Sequence, residues 1–306
     1  MRHNGGFTFI LLACSMAVMS IDLHIHSCFS DGAYHPSQLV GMAKLLGVEV
    51  IAIADHDSVA GIPDAISAGS DSCVEVIPAV ELSVHFEDFK DVHLLRYGID
   101  YCDELFLKQI DGFRNRREQR NREIMNRVNG LLHAEGREAI TIDEVLDFAN
   151  DAIGRPHIAR ALMARNYVSN MEDAFQRYLV PCNVAKSYWL IQSAIDEIHR
   201  IGGAAVLAHP TSISRDQAEL KRVISALKSI GLDGIEVYNN MGWPLEIEFL
   251  RRLAVELDLV VTAGSDFHGI ETGIEIGKGR EGIRFDRNLL APLTARIQEQ
   301  RGKNSL

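Results

Sequence analysis

The chain is poor in several features that mark whole classes of protein. Its 306 residues include only five cysteines, at Cys14, Cys28, Cys73, Cys102 and Cys182. They are odd in number, scattered, and form no Cys-x-x-Cys pair, which excludes a disulfide framework and a zinc ribbon. Free thiols in a reducing compartment fit that usage, and the expected location is cytoplasmic. Positive charge is in deficit: 31 Lys and Arg face 42 Asp and Glu, for a net charge of -11. A protein that coats DNA non-specifically needs a basic face, so that class is excluded. The apolar run at residues 7–18 is too short for a membrane span. There is no internal repeat, no low-complexity tract, no P-loop and no dinucleotide fingerprint. Gly277-Lys278-Gly279-Arg280-Glu281-Gly282 is glycine-rich but lacks a strand–helix setting, and it reads as a loop over the site.

What is present is an ordinary globular composition, 47% hydrophobic and 24% charged, with twelve histidines. Several of those histidines sit beside Asp or Glu. The length allows one large domain or two small ones. Continuous apolar runs at 21–25, 48–54, 74–80, 92–99, 204–208, 234–238 and 259–263 read as strands buried on both faces. Helical patterns at 36–46, 58–68, 193–201, 217–230 and 244–257 separate them. Pro36 and Pro244 stand where a first helical turn tolerates proline, and Gly47, Gly69, Gly202 and Gly231 stand where helices stop. Repeated strand–helix units predict a parallel sheet or barrel.

Residues 100–190 break the rhythm. They read as a helical insertion between barrel strands, carrying the run Arg114, Arg116, Arg117, Arg120 and Arg122. Either these arginines pair with Glu118 and Glu123 on a solvated face, or they form a positive flank that attracts a phosphorylated substrate. The domain reading is therefore an N-terminal extension at 1–20, a barrel at 21–99 and 191–290, and the insertion at 100–190. Residues 7–18 also have the look of a short signal-peptide core. A core strand starting at Ile21 leaves almost no linker for cleavage, so the preferred reading is an upstream extension with Met19 as the start.

The chemistry falls at strand ends. Within or just past the strand runs come Asp22, His24, His26 and Asp31; then Asp55, His56 and Asp57; then Glu81, with His93 entering the next strand; then His209, Glu236, Asp266 and His268. In a parallel barrel such ends share one rim, where active sites lie. His24 and His26 are two apart and point to one side of their strand. Burying so many carboxylates is prohibitive unless cations neutralise them. Mixed nitrogen and oxygen donors suit Mn, Fe or Zn. Asp22 and Asp55 read as partners that orient imidazoles, and Asp57 as the cap of a helix starting near Ser58. Glu236 is expected to bond the backbone or a histidine. His35, His133 and His199 read as surface residues.

Asp22-Leu23-His24-Ile25-His26-Ser27, Ser30-Asp31-Gly32, Ala54-Asp55-His56-Asp57, Ala208-His209-Pro210 and Gly264-Ser265-Asp266-Phe267-His268 resemble the motifs of the PHP (polymerase and histidinol phosphatase) superfamily. The resemblance runs from about Ile21 to Gly282 and implies an α/β fold, a distorted (βα)7 TIM-like barrel with three divalent metal ions per chain. It implies one metal held by His24, His26, Glu81 and Asp266. Glu81 would bridge to a second, shared with His93 and His209. Asp31, His56 and His268 would hold the third. By spacing alone His85 is an alternative to His93.

Gly154-Arg155-Pro156-His157-Ile158-Ala159-Arg160 resembles a motif of the small stand-alone PHP phosphoesterases that act on nucleotides. There Arg155 would clamp phosphate, and His157 would contact it or protonate a leaving alkoxide. The implied reaction is hydrolysis of a nucleotide phosphomonoester, a nucleoside 3',5'-bisphosphate, by metal-activated hydroxide, with manganese as the first choice of ion. Alternatives are 5'-3' exonuclease action on short RNA, histidinol-phosphate hydrolysis, and a non-catalytic accessory module. The expected partner is a small phosphorylated substrate or short RNA, with no membrane and no obligate protein partner.

Overall fold

The computed structural model describes residues 20–148 and 153–303. The expected N-terminal extension, including its apolar run, lies outside the described residues. Among the described residues no helix is long and apolar enough to cross a membrane.

Strand β1 (Ser20–Ile25) is buried along its whole length, its polar Ser20, Asp22 and His24 as fully as its apolar Ile21, Leu23 and Ile25. It is followed by α1 (Pro36–Leu46), which starts with proline and stops at Gly47, where φ is 73°. β2 (Val48–Ile53) returns parallel to β1. α2 (Ile62–Ser72) leads to the short β3 (Glu75–Val76), parallel to β2, which completes a three-stranded sheet.

A six-stranded sheet supplies the rest of the scaffold, in the order β6-β4-β5-β7-β8-β9. Its members are β4 (Ala79–Phe86), β5 (Phe89–Tyr97), β6 (Trp189–Leu190), β7 (Ala204–Leu207), β8 (Gly234–Tyr238) and β9 (Val260–Ala263). Around it run α7 (Ile191–Arg200), α8 (Gln217–Ser229), α9 (Pro244–Glu256) and α10 (Leu290–Lys303). The two sheets meet through single backbone bridges, Ile25 to Phe267 at one seam and His56 to Glu81 at the other. Between β5 and β6 lie α3 (Glu104–Ala134), α4 (Ile142–Leu146), α5 (Arg155–Ala164), α6 (Met171–Ala174) and a π-helical turn at Phe175–Leu179. These helices bury their own apolar cluster, with Ile124, Val128, Leu162 and Tyr178 at its centre.

The architecture is mixed α/β with parallel strands and surrounding helices. It departs from the expected all-parallel (βα)7 barrel in two respects. The sheets are not joined into one closed ladder, and β5 runs antiparallel to both β4 and β7. The cause is local: only two residues separate β4 from β5, which permits a hairpin and forbids a crossover helix. The single strand expected at 74–80 is two strands: the chain leaves the three-stranded sheet after Val76 and joins the six-stranded sheet at Ala79, with Ile77 and Pro78 between. α2 begins four residues later than expected, at Ile62, with Gly61 and not Asp57 before it.

Candidate metal centre

All nine predicted metal-site side chains converge at one place, and Glu81 is its middle. Its carboxylate is fully buried on β4. Oε2 lies 2.9 Å from His56 Nδ1, 3.3 Å from His26 Nε2 and 3.5 Å from His24 Nε2. Oε1 lies 3.1 Å from His93 Nδ1 and 3.2 Å from His209 Nε2. Asp266 Oδ1 closes one side, 3.2 Å from His26 Nε2 and 3.5 Å from His24 Nε2. Asp31 closes another, with Oδ1 3.3 Å from His268 Nε2 and Oδ2 3.8 Å from His56 Nε2.

Three groupings of donor atoms are compact enough to surround an ion: His26, Asp31, His56 and His268; His24, His26 and Glu81; and His56, Glu81 and His93. Spacings of about 3 to 3.5 Å are what ligand atoms adopt around an ion bonded at roughly 2.0–2.1 Å. The donors are also starved of other partners. Asp31 Oδ1, His56 Nδ1, Glu81 Oε2 and both ring nitrogens of His93 are buried without a hydrogen bond. Buried polar atoms are seldom left so. His24 Nε2 faces His26 Nε2 at 3.1 Å, two lone pairs that repel unless a proton or a cation lies between them. The residues therefore fit divalent cations.

His93 sits midway along β5, opposite Ser83 of β4, and there reaches the rim although its strand runs antiparallel to β4. His85 takes no part in the three groupings. The backbone is strained here as well: Asp57, His209 and Asp266 have φ of 50°, 26° and 56°, in the left-handed region that few side chains accept. Gly264 passes so close to β1 that a Cβ on it would sit 2.1 Å from His24 Cβ. Only glycine lets the two strands approach there.

Among the surrounding carboxylates, Asp22, Asp55 and Asp57 act otherwise than expected, while Glu236 bonds both a histidine and the backbone as expected. Asp22 orients no imidazole; it accepts the backbone N–H groups of Gly277 (2.7 Å), Ser265 (2.9 Å) and His24 (3.2 Å). It thereby ties Gly277 and Ser265 to β1. Burial pushes its pKa up to about 6, against the pull of those donors. Asp55 likewise holds a loop, accepting from Ser27 N–H (2.7 Å), Ser27 Oγ–H (2.6 Å) and Ser30 Oγ–H (2.6 Å). Asp57 caps no helix and accepts the Ser83 N–H at 3.3 Å. The histidine-orienting group is Glu236: Oε1 is 3.0 Å from His24 Nδ1, and Oε2 accepts the His209 N–H at 2.9 Å. Of the predicted surface histidines, His133 is exposed, while His35 and His199 are partly covered and lie 3.4 Å from Asp64 and 2.7 Å from Asp233.

The protonation balance shows how crowded the charges are. For His26, burial opposes charge, yet Asp266 and Glu81 raise its pKa to about 10. For His24 burial again opposes, and Glu236, Glu81 and Asp266 lift the pKa well above the usual imidazole value. His56 goes the other way, to about 4, because burial outweighs Glu81 and Asp31. Burial resists the ionisation of Glu81, Asp31 and Asp266, but the neighbouring imidazoles hold all three below the ordinary carboxylate range. Without cations the cluster must share protons; cations would replace them.

A cavity of about 190 Å³ opens above this cluster, lined by Asp31, His56 and Ser83 below and by Arg117, Arg155, Phe175 and Lys186 from the insertion above. The arginine run thus divides. Arg117 and Arg120 face the cavity, with Arg117 donating to the His56 carbonyl at 3.4 Å. Arg122 is half-exposed and pairs with Glu118 at 2.7 Å. Arg155 lies over the Phe175 ring, 5.5 Å from its centroid. His157 is buried and is not part of the cavity wall; its Nδ1 accepts the Gly154 N–H at 2.9 Å at the start of α5. Lys186, Phe175 and Ser83 were not legible as site residues, since no motif marks them and folding alone brings them together.

Residues 22–184 match the PHP domain family. A "5'-3' exoribonuclease" of Haemophilus influenzae is 35% identical over 84% of this chain and 93% of its own. The chain belongs to the PHP family. A Chromobacterium violaceum "3',5'-nucleoside bisphosphate phosphatase" is 29% identical over 91% of this chain and 98% of its own. Among solved structures, a candidate metal-dependent phosphoesterase of Bifidobacterium adolescentis superposes with a TM-score of 0.77 at 29% identity, covering 91% of this chain and 96% of that one. PHP membership and the donor set agree: this is a metal-dependent phosphoesterase, and its relatives are hydrolases of phosphate esters.

Proposed function

We propose that this PHP protein hydrolyses the phosphomonoester of a nucleotide, a nucleoside 3',5'-bisphosphate, at a centre of three divalent cations, manganese being the first choice. The observation that carries the reading is the Glu81 carboxylate, whose two oxygens face five imidazoles at 2.9–3.5 Å. His24, His26, Glu81 and Asp266 would hold one ion, Glu81, His93 and His209 a second, and Asp31, His56 and His268 the third. Bound there, the cations supply Lewis acidity toward phosphate oxygens and acidify water.

The chain's own groups do the rest. Glu236 holds the His24 ring through Nδ1, so that Nε2 points into the cluster. Arg155 and Arg117 offer planar forks to a phosphate in the cavity, where negative charge on the transferred group must be neutralised. Phe175 offers a nucleobase a ring to stack upon. His157 accepts the Gly154 N–H at the first turn of α5, the turn that carries Arg155, and so acts by positioning.

A second reading, removal of 5'-terminal nucleotides from short RNA, draws support from the relatives at 34–35% identity that bear that name. The manganese-loaded chain should release phosphate from adenosine 3',5'-bisphosphate faster than from AMP or histidinol phosphate. His26→Ala and Asp266→Ala should each lower turnover at least about a hundredfold, more than the loss typical of an outer partner. Undiminished turnover in either variant would refute the metal-centre reading.

A further inference from the structure

The cavity occupies one sector of the rim. Its floor comes from Asp31 after β1, His56 after β2 and Ser83 on β4. Going round the rim from β2, the neighbours are β1, β9 and β8 on one side, and β4, β5 and β7 on the other. The loop after β8 therefore stands across the metal cluster from the cavity. It carries Trp243, whose side is half-exposed at 50%, with the Arg280 guanidinium 4.1 Å from the ring centroid.

This pair is built, not incidental. Asn239 is buried; its Oδ1 accepts the N–H groups of Met241 and Gly242, and its Nδ2 donates to Glu236 Oε2 at 3.4 Å. The Arg280 N–H donates to the Asn239 carbonyl at 3.2 Å. The loop is thus anchored to the same Glu236 that holds His24. Among the described residues no carboxylate pairs with the Arg280 guanidinium, and its Nε is buried without an acceptor. A tryptophan ring backed by an uncommitted cation is the element that proteins use to stack bases of single-stranded nucleic acid while meeting its phosphates.

We propose that Trp243 and Arg280 form a stacking platform for the ribonucleotide that follows the scissile one, so that a short 5'-phosphorylated RNA lies across the metal cluster from cavity to platform. The inference rests on the phosphoesterase reading above and names a substrate class for the same site. A mononucleotide fills the cavity and never reaches the platform. A longer strand leaves across the opposite rim and is held there.

The test compares kcat/KM for adenosine 3',5'-bisphosphate and for a 5'-phosphorylated pentaribonucleotide with the full manganese-loaded chain. Trp243→Ala should lower the value for the RNA by about tenfold or more and leave that for the bisphosphate within about twofold, as loss of one base stack implies. Trp243→Phe should restore most of the loss. In a Trp189→Phe background, Trp243 is the remaining tryptophan, and a 5'-hydroxyl pentaribonucleotide should quench its emission where the bisphosphate does not. Equal losses for both substrates, no loss for either, or absent quenching would overturn the platform. A change in self-association in place of RNA kinetics would assign the face to protein docking and overturn it too. If wild type hydrolyses neither substrate, the phosphoesterase reading falls, and the platform is judged on quenching alone.

Discussion

Glu236 shows how much of a site hangs on a residue outside its centre. Its carboxylate accepts from two directions at once, the His24 ring and the His209 backbone. In Glu236→Gln the amide nitrogen cannot accept, so one of the two donors loses its partner. The expected result is a 10- to 100-fold weaker affinity for manganese, roughly the cost of removing an outer partner, with the fold retained. Calorimetric titration of the stripped protein against the variant measures it; unchanged affinity would show that the ring is held by packing alone. At this scale the sequence was informative where identity carries chemistry: histidine, aspartate and glutamate at strand ends are conspicuous. It was uninformative where role depends on direction. Asp22, Asp55 and Asp57 are chemically alike, and only the path of the neighbouring loops makes two of them loop anchors and the third a partner of the Ser83 amide.

The elements are held by a second polar cluster at the other end of the strands. Asp233, just before β8, accepts from Ala205 N–H on β7 (2.9 Å) and Gln300 Nε2 on α10 (2.8 Å), and lies 2.7 Å from His199 Nε2 on α7. Burial resists its ionisation, but His199, the Ala205 amide and Gln300 outweigh burial and lower its pKa below 3.8. A carboxylate with a depressed folded pKa stabilises the fold above its unfolded value and loses that contribution as pH falls through the folded one. Asp233→Asn should therefore cost about 1–3 kcal/mol near neutrality, the price of weakening a buried charged hydrogen-bond set. The gap to wild type should stay constant down to about pH 4 and close below it. Urea denaturation across that range would show it; a gap that widened in acid would contradict the assignment. The strand runs were visible as apolar segments, but their direction was not, because periodicity is the same for a strand read either way. Hence β5 was expected to be parallel: the expected strands at 74–80 and 92–99 left a gap at 81–91, and only the structure fills it with strand and leaves a two-residue hairpin link.

At the scale of the whole molecule, the metal centre is also a joint. Its donors come from β1, β2 and their loops on one sheet and from β4, β5 and the ends of β7 and β9 on the other. Between those sheets the backbone contributes only isolated bridges, one of them His56 to Glu81 within the site itself. Cations bound by both halves would bind the folded state and not the unfolded chain, so they should stabilise by mass action, about 2.7 kcal/mol at one hundred times the dissociation constant. In a chain of this size that corresponds to a rise in Tm of at least several degrees. Adding manganese to chelator-stripped protein should raise Tm, and slow amide exchange at Glu81 and Asp57 along the seam, where Asp57 N–H donates to the Glu81 carbonyl at 2.8 Å. Glu81→Gln should abolish most of the rise, because its single remaining acceptor oxygen cannot serve both sides of the cluster. If stripped and loaded protein melt together and exchange alike at the seam, the cations do not brace the two sheets, and the cluster's buried charge must be balanced by protons.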